Sequence, residues 1–269
     1  VKSAANRVRR LAAVVLAVFA LTATADSVRA QDSPTAPSAA STHATQEKPA
    51  ESPKQQSISF FKALGHDFIN LATPSTLVIL GTGGAAALAV HHEDAQWTEM
   101  SVANQGLEDT LDPGQVVGSG WVQGGAAVAT MVIGHLTSSP RVEDIGGKLL
   151  RAQIVNFAIT QPIKHAVNRT RPDGTRYSFP SGHASSSFAT AAVLQRELGW
   201  KVGAAAYGMA TYASWSRLSE NKHYASDVIF GAAIGLVSGR CVTVRGQRFE
   251  VGPSVIAGGA MVSFTRVER

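Results

Sequence analysis

Lys164, Arg171 and Arg217 are three cations at the ends of apolar segments, and no carboxylate close to them in sequence is expected to neutralise them. Brought together, they make a pocket for a tetrahedral oxyanion such as phosphate, because each guanidinium can grip two oxygens through parallel hydrogen bonds. Pro180-Ser181-Gly182-His183 adds a helix start to the same set. Ser181 is suited to cap that helix, and the backbone N–H groups after Pro180 would point at the anion with the positive end of the helix dipole behind them. His223 and Asp227 are four residues apart, so on a helix they share a face, and the carboxylate can hold one ring nitrogen protonated while the other attacks. A histidine fixed in this way is a competent nucleophile toward phosphorus. His183, arriving from the other side, can give a proton to the departing oxygen and later take one from water. Surface charge, an ordinary cap and structural histidines would each explain one cluster alone, but not two histidines meeting three cations.

Those clusters must be positioned by helices, because the periodicity from about Ile58 onward is helical. An amphipathic segment around Phe60 to Leu71 precedes six longer helices, expected at about 75–91, 116–137 and 144–168, from Pro180-Ser181 onward, and at about 200–217 and 224–239. Lys164 and Arg171 close the third, Pro180-Ser181 opens the fourth, Ser216-Arg217 ends the fifth, and His223 with Asp227 opens the sixth. In an antiparallel bundle these ends coincide, so the clusters converge. Small-residue runs such as Gly81-Thr82-Gly83-Gly84 and Gly203-Ala204-Ala205-Ala206 permit close helix approach. The tail changes to a period of two around Gly258-Gly259, which predicts a short C-terminal β-hairpin within 241–269. The expected fold class is therefore all-α: a six-helix bundle over 58–240 with a hairpin extension.

Lys164-x6-Arg171-Pro172, Pro180-Ser181-Gly182-His183 and Ser216-Arg217-x5-His223-x3-Asp227 together resemble the three-part signature of the type 2 phosphatidic acid phosphatase family, shared with bacterial acid phosphatases and vanadium haloperoxidases. The resemblance implies that Lys164, Arg171, Arg217, the Ser181 side chain and the Gly182 backbone bind phosphate. It also implies that His183 is the general acid, that His223 becomes phosphohistidine, that Asp227 is its partner, and that no metal or other cofactor takes part. Two other readings remain within this pattern: a vanadate-dependent haloperoxidase, and a silent module that binds phosphate or lipid headgroups. The intact His183, His223 and Asp227 weigh against the second.

Outside the signature, His91-His92-Glu93-Asp94 suits a polar helix terminus better than a metal cluster, since adjacent histidines on a helix face different ways. Asp109 and Asp112 beside Pro113 are expected to form a turn. His165, Arg169 and Arg176 are candidates for the pocket mouth.

The chain has 269 residues, a formal charge of +5 and a single cysteine, Cys241, which allows no intrachain disulfide. Residues 1–30 show the basic, apolar and small-residue order of a secretory signal peptide, and removing it takes five basic residues and one acidic one, leaving the remainder near neutrality. That removes the support for a nucleic-acid partner. Residues 31–57 carry four prolines and no large apolar residue, the composition of a disordered linker. Two charge-free runs, about 68–90 and 113–140, are long enough to cross a membrane, whereas 152–163, 202–216 and 228–239 are short for it. The resulting expectation is a periplasmic or cell-envelope domain associated with the membrane, with integral insertion as the alternative. Its expected partner is a phosphorylated lipid or small molecule, and no protein partner is indicated.

Overall fold

The computed structural model describes residues 53–102, 108–243, 248–256 and 259–267. The expected signal peptide and nearly all of the linker lie outside these residues. Nine helices occur among them: α1 Pro53–Asn70, α2 Pro74–His91, α3 Asp94–Val102, α4 Glu108–Gly118, α5 Gly120–Leu136, α6 Pro140–Val167, α7 Gly182–Leu198, α8 Trp200–Ser219 and α9 Ala225–Thr243. Beyond them, β1 (Arg248–Ile256) and β2 (Gly259–Val267) pair antiparallel, Arg248 facing Val267 and Ile256 facing Gly259.

Two expectations from the sequence need correction. The apolar run at 113–140 is not one helix, because α4 ends at Gly118 and α5 starts at Gly120 with Ser119 extended between them. Asp109 and Asp112 lie within α4 instead of a turn. Pro113 lies inside this helix, past its first turn, and leaves one intrahelical hydrogen bond unmade.

α7 and α9 form the centre of the bundle. Gly231, Gly235 and Gly239 recur every four residues along one face of α9, and a Cβ on each would come within 2.6, 2.3 and 2.5 Å of the backbone oxygens of Ser181, Ser185 and Ala189. Only glycine allows two helix backbones to approach this closely. The same stripe extended one turn back reaches Asp227, so the packing register that seats α9 on α7 also sets Asp227 against Ser181. Around this pair, one apolar cluster joins Ala127 of α5, Leu149 and Val155 of α6, and Val193 of α7. A second joins Ile79 of α2, Phe188 of α7, Ala210 of α8 and Val237 of α9. A third, near the polar end, joins Val90, Trp97, Leu218 and Ala225.

The outer faces are unusually apolar. Leu77 and Leu88 on α2 are 73% and 75% exposed, Trp121 and Leu136 on α5 are 90% and 76% exposed, and Val132, Ile133, Phe157, Trp200 and Met209 are also exposed. Among the described residues, two helices, Pro74–His91 and Ala225–Thr243, are long and apolar enough to cross a membrane. The second is largely buried inside the bundle, as the core helix of any helical protein would be.

Candidate active site

The site is built where α6 and α8 end and α7 and α9 begin. α6 stops at Asn168, which takes a left-handed conformation with φ of 46°. In its last turn Lys164 extends Nζ to donate to the backbone oxygens of Tyr177 (2.7 Å) and Pro180 (2.8 Å). The ammonium thus ties down the loop leading to α7 and retains one proton for an anion. Burial, with Arg171 nearby, lowers its pKa to about 8.

The loop from 168 to 181 is held at both ends. Arg171 N–H donates to the Thr175 oxygen at 2.7 Å, and Asp173 accepts from Thr175 and from Lys222 of the α8–α9 connection, at 2.9 Å for the latter. Ser181 then caps α7, accepting from Ala184 N–H at 3.4 Å, while its own N–H donates to the Asp227 backbone oxygen at 3.0 Å. The N–H groups of Gly182 and His183 precede the first intrahelical bond, from Ser185 to Ser181, and so belong to the unpaired positive end of the helix.

His183 lies against α4, its Nε2 3.1 Å from the Gln115 backbone oxygen. This contact fixes the ring so that Nδ1 faces the other way. Burial, followed by Arg217 and His223, lowers its pKa to about 4. Gly118 packs close here: a Cβ would come within 3.2 Å of the His183 ring and 3.0 Å of Ala213, so that these side chains would have to give way.

Arg217 departs from the sequence expectation of an unneutralised cation. Its Nη1 donates to Glu220 Oε2 at 2.7 Å and to Gln115 Oε1 at 3.1 Å. The pair is spaced three residues apart across the end of α8, the distance at which helical side chains meet.

His223 is buried, 2% exposed, and lies in the connection between α8 and α9, not inside α9 as the four-residue spacing suggested. α9 cannot begin earlier because Asp227 Oδ2 accepts from the Tyr224 N–H at 2.9 Å, in the manner of a cap. His223 Nδ1 faces Asp227 Oδ2 at 3.7 Å, longer than a direct hydrogen bond. Burial lowers its pKa to about 4, partly opposed by Asp227. Asp227 is fully buried, and Arg169 Nη1 (2.6 Å) and the Ser178 hydroxyl also donate to it.

The expected residues therefore share one end of the bundle. Arg169, expected at the pocket mouth, is turned inward onto Asp227. His165 meets Tyr177 edge-on, ring centroids 4.7 Å apart, and Arg176 is exposed. Among the described residues, no group of three or more His, Cys, Asp or Glu side chains is arranged to hold a metal ion. Reasoning from sequence missed Asp94, Gln115, Ser178, Glu220 and Ser226. Glu220 was legible from its spacing to Arg217, and Ser226 adjoins Asp227 in α9; the others come from distant helices or from a loop with no periodic signal.

Two guanidinium nitrogens at this end, Arg171 Nε and Arg217 Nε, are buried without a hydrogen-bond partner, and His223 Nδ1 is buried with only Asp227 facing it, at 3.7 Å. Polar groups buried this way are uncommon unless a ligand completes them.

Residues 146–250 match the PAP2 superfamily. Over 102 residues the chain is 38% identical to the lipid A 1-phosphatase of Porphyromonas gingivalis, covering 36% of this chain and 22% of that protein, so the chain spans about a fifth of that relative's length. Among solved structures, a transmembrane PAP2 type phosphatidylglycerolphosphate phosphatase from Bacillus subtilis aligns with a TM-score of 0.50 at 19% identity, covering 69% of this chain and 92% of that one. Aquifex aeolicus LpxE aligns with a TM-score of 0.48 at 19% identity, over 55% of this chain and 93% of that one. The Bacillus subtilis likeness is one of fold. The stretch that matches the PAP2 superfamily, residues 146–250, contains all three motifs.

Proposed function

We propose that the protein is a phosphoric ester hydrolase that removes phosphate from a lipid phosphate through a covalent phosphohistidine, without a metal ion or other cofactor. The observation that carries this reading is the convergence of the unpartnered, buried Arg171 Nε and Arg217 Nε with the buried His223 ring beside Lys164 and the start of α7. A phosphate placed there meets Lys164, Arg171, Arg217, the Ser181 hydroxyl and the Gly182 N–H. These donors neutralise charge on the equatorial oxygens as the transition state forms.

His223 Nε2, on the side of the ring away from Asp227, attacks phosphorus. The P–O ester bond breaks, its electron pair goes to the departing oxygen, and protonated His183 supplies the proton to that oxygen. Asp227 stabilises the positive ring as it forms. Water then attacks the phosphorus, His183 takes its proton, and the P–N bond breaks to release phosphate and neutral His223. Every positive group in this scheme is a protein side chain.

The lipid character of the substrate is supported by the exposed apolar faces of α2, α5 and α8, which suit contact with a membrane, and by the lipid A 1-phosphatase relative. The pattern of residues 1–30 supports export, which would place the site in the cell envelope. The test is hydrolysis of a panel comprising phosphatidic acid, polyprenyl diphosphate, lipid A and a soluble aryl phosphate, by the wild-type chain and by His223→Ala. Turnover of a lipid phosphate by the wild type and none by a folded His223→Ala variant is expected; turnover retained by the variant would overturn the nucleophile assignment.

A further inference from the structure

Asp94 lies at the junction of α2 and α3, more than 100 residues before His223, and belongs to none of the three motifs. It is nonetheless buried, 4% exposed, and fully engaged. Oδ1 accepts from the Ser226 N–H at 3.0 Å, and Oδ2 accepts from the Ser226 hydroxyl at 2.5 Å and from Arg169 Nη2 at 2.8 Å. His91 Nδ1 lies 3.1 Å from the same oxygen. Ser226 is in the first turn of α9, so Asp94 serves as a cap supplied by another helix. Arg169 in turn spans two carboxylates: Nη1 reaches Asp227 Oδ1 at 2.6 Å and the Ser226 hydroxyl at 2.8 Å, while its guanidinium lies 4.1 Å above the Tyr224 ring.

We propose that Asp94 is a positioning residue for the His223–Asp227 pair, acting through Arg169 and the first turn of α9. The proposal rests on the hydrolase reading above. Arg169 has two anionic partners on opposite sides, and its orientation is set by both. With Asp94 in place, the guanidinium is shared, the α9 start is fixed, and Asp227 is aimed at the imidazole instead of being drawn wholly into an ion pair. The connection also joins α2 and α3 to the active site, although neither carries a motif residue.

The charges that surround this pair set the sign of the test. Lys164 and Arg171 approach from the end of α6 and the loop after it, His183 from α7, Arg217 from α8, and Arg169, Asp94 and His91 from the remaining side. Asp94→Asn keeps the shape and the cap acceptor but removes one negative charge, so the His223 imidazolium is less favoured. The acid limb of kcat/KM therefore moves to lower pH, and kcat/KM falls about tenfold through the loss of one charge-assisted hydrogen bond. Arg169→Gln removes a positive charge, so the limb moves the opposite way. In the double variant the two shifts cancel and turnover stays low.

The experiment measures pH profiles of kcat/KM for the full chain in detergent, with the lipid phosphate that the wild type hydrolyses, for wild type and the three variants. Thermal unfolding of each variant confirms that it is folded. Opposed limb shifts support the proposal. An unchanged Asp94→Asn profile, or activity lost equally in both single variants with no movement of the limb, overturns it. A wild type inactive on every phosphate ester overturns the hydrolase reading instead.

Discussion

Replacing Glu220 by glutamine should tighten the binding of phosphate. Arg217 and Glu220 are 6% and 16% exposed and meet at 2.7 Å, so the carboxylate holds a guanidinium that the anion also needs. Across one guanidinium the two anions would lie roughly 7 Å apart, and at an effective dielectric of about 20 two unit charges at that distance repel by about 2 kcal/mol. Against this, the hydrogen bond that keeps Arg217 in place contributes about 1 kcal/mol. The difference, about 1 kcal/mol, corresponds to binding roughly fivefold tighter. Glu220→Gln also leaves the buried Arg217 without its carboxylate when no ligand is bound, so the free protein loses about 1 to 3 kcal/mol of stability. The assay is competitive inhibition by inorganic phosphate, with thermal unfolding at rising phosphate concentration. The variant should show a lower Ki, a lower Tm without phosphate, and a larger rise in Tm with it. An unchanged or higher Ki would refute the view that Glu220 competes with the substrate for Arg217.

Three further outcomes are expected. His183 has its pKa lowered to about 4 by burial, Arg217 and His223, and a bound phosphate offsets those cations, so its pKa rises in the complex. As the acid it must be protonated, so the basic limb of kcat should lie at higher pH than that of kcat/KM; coincident limbs would contradict the role. Gly118→Ala should push the His183 ring, because the added Cβ would come within 3.2 Å of it, and should lower kcat more than it raises KM in steady-state assays. Turnover should persist in excess chelator, and a loss reversed by added metal would contradict a site in which protein cations alone hold the phosphate.

The three motifs were legible because their chemistry is local. Ser181 capping α7, Gly182 at its start and the Lys164-to-Pro172 spacing each depend on a few neighbouring residues, and helix ends are written in sequence by prolines and capping side chains. Their convergence was legible too, since helices joined by short connections alternate in direction. The break between α4 and α5 was not, because Gly118-Ser119-Gly120 carries no proline and sits in an apolar run, where hydropathy cannot distinguish one helix from two.

By itself, then, the sequence determined which residue types stand at which helix ends, among them those suited to bind and attack a phosphate, because those properties depend on residue type and short spacing. Tertiary structure alone decided what surrounds those groups. It placed His223 ahead of α9 instead of within it, turned Arg169 inward onto Asp227, and brought Gln115 and Asp94 from distant segments against Arg217 and Ser226. Contacts of this kind depend on how closely α9 can seat on α7 and where α2 ends relative to both. Gly231, Gly235 and Gly239 fix the first of these distances by removing side chains, and what glycine leaves out becomes readable only when the opposing backbone is in view.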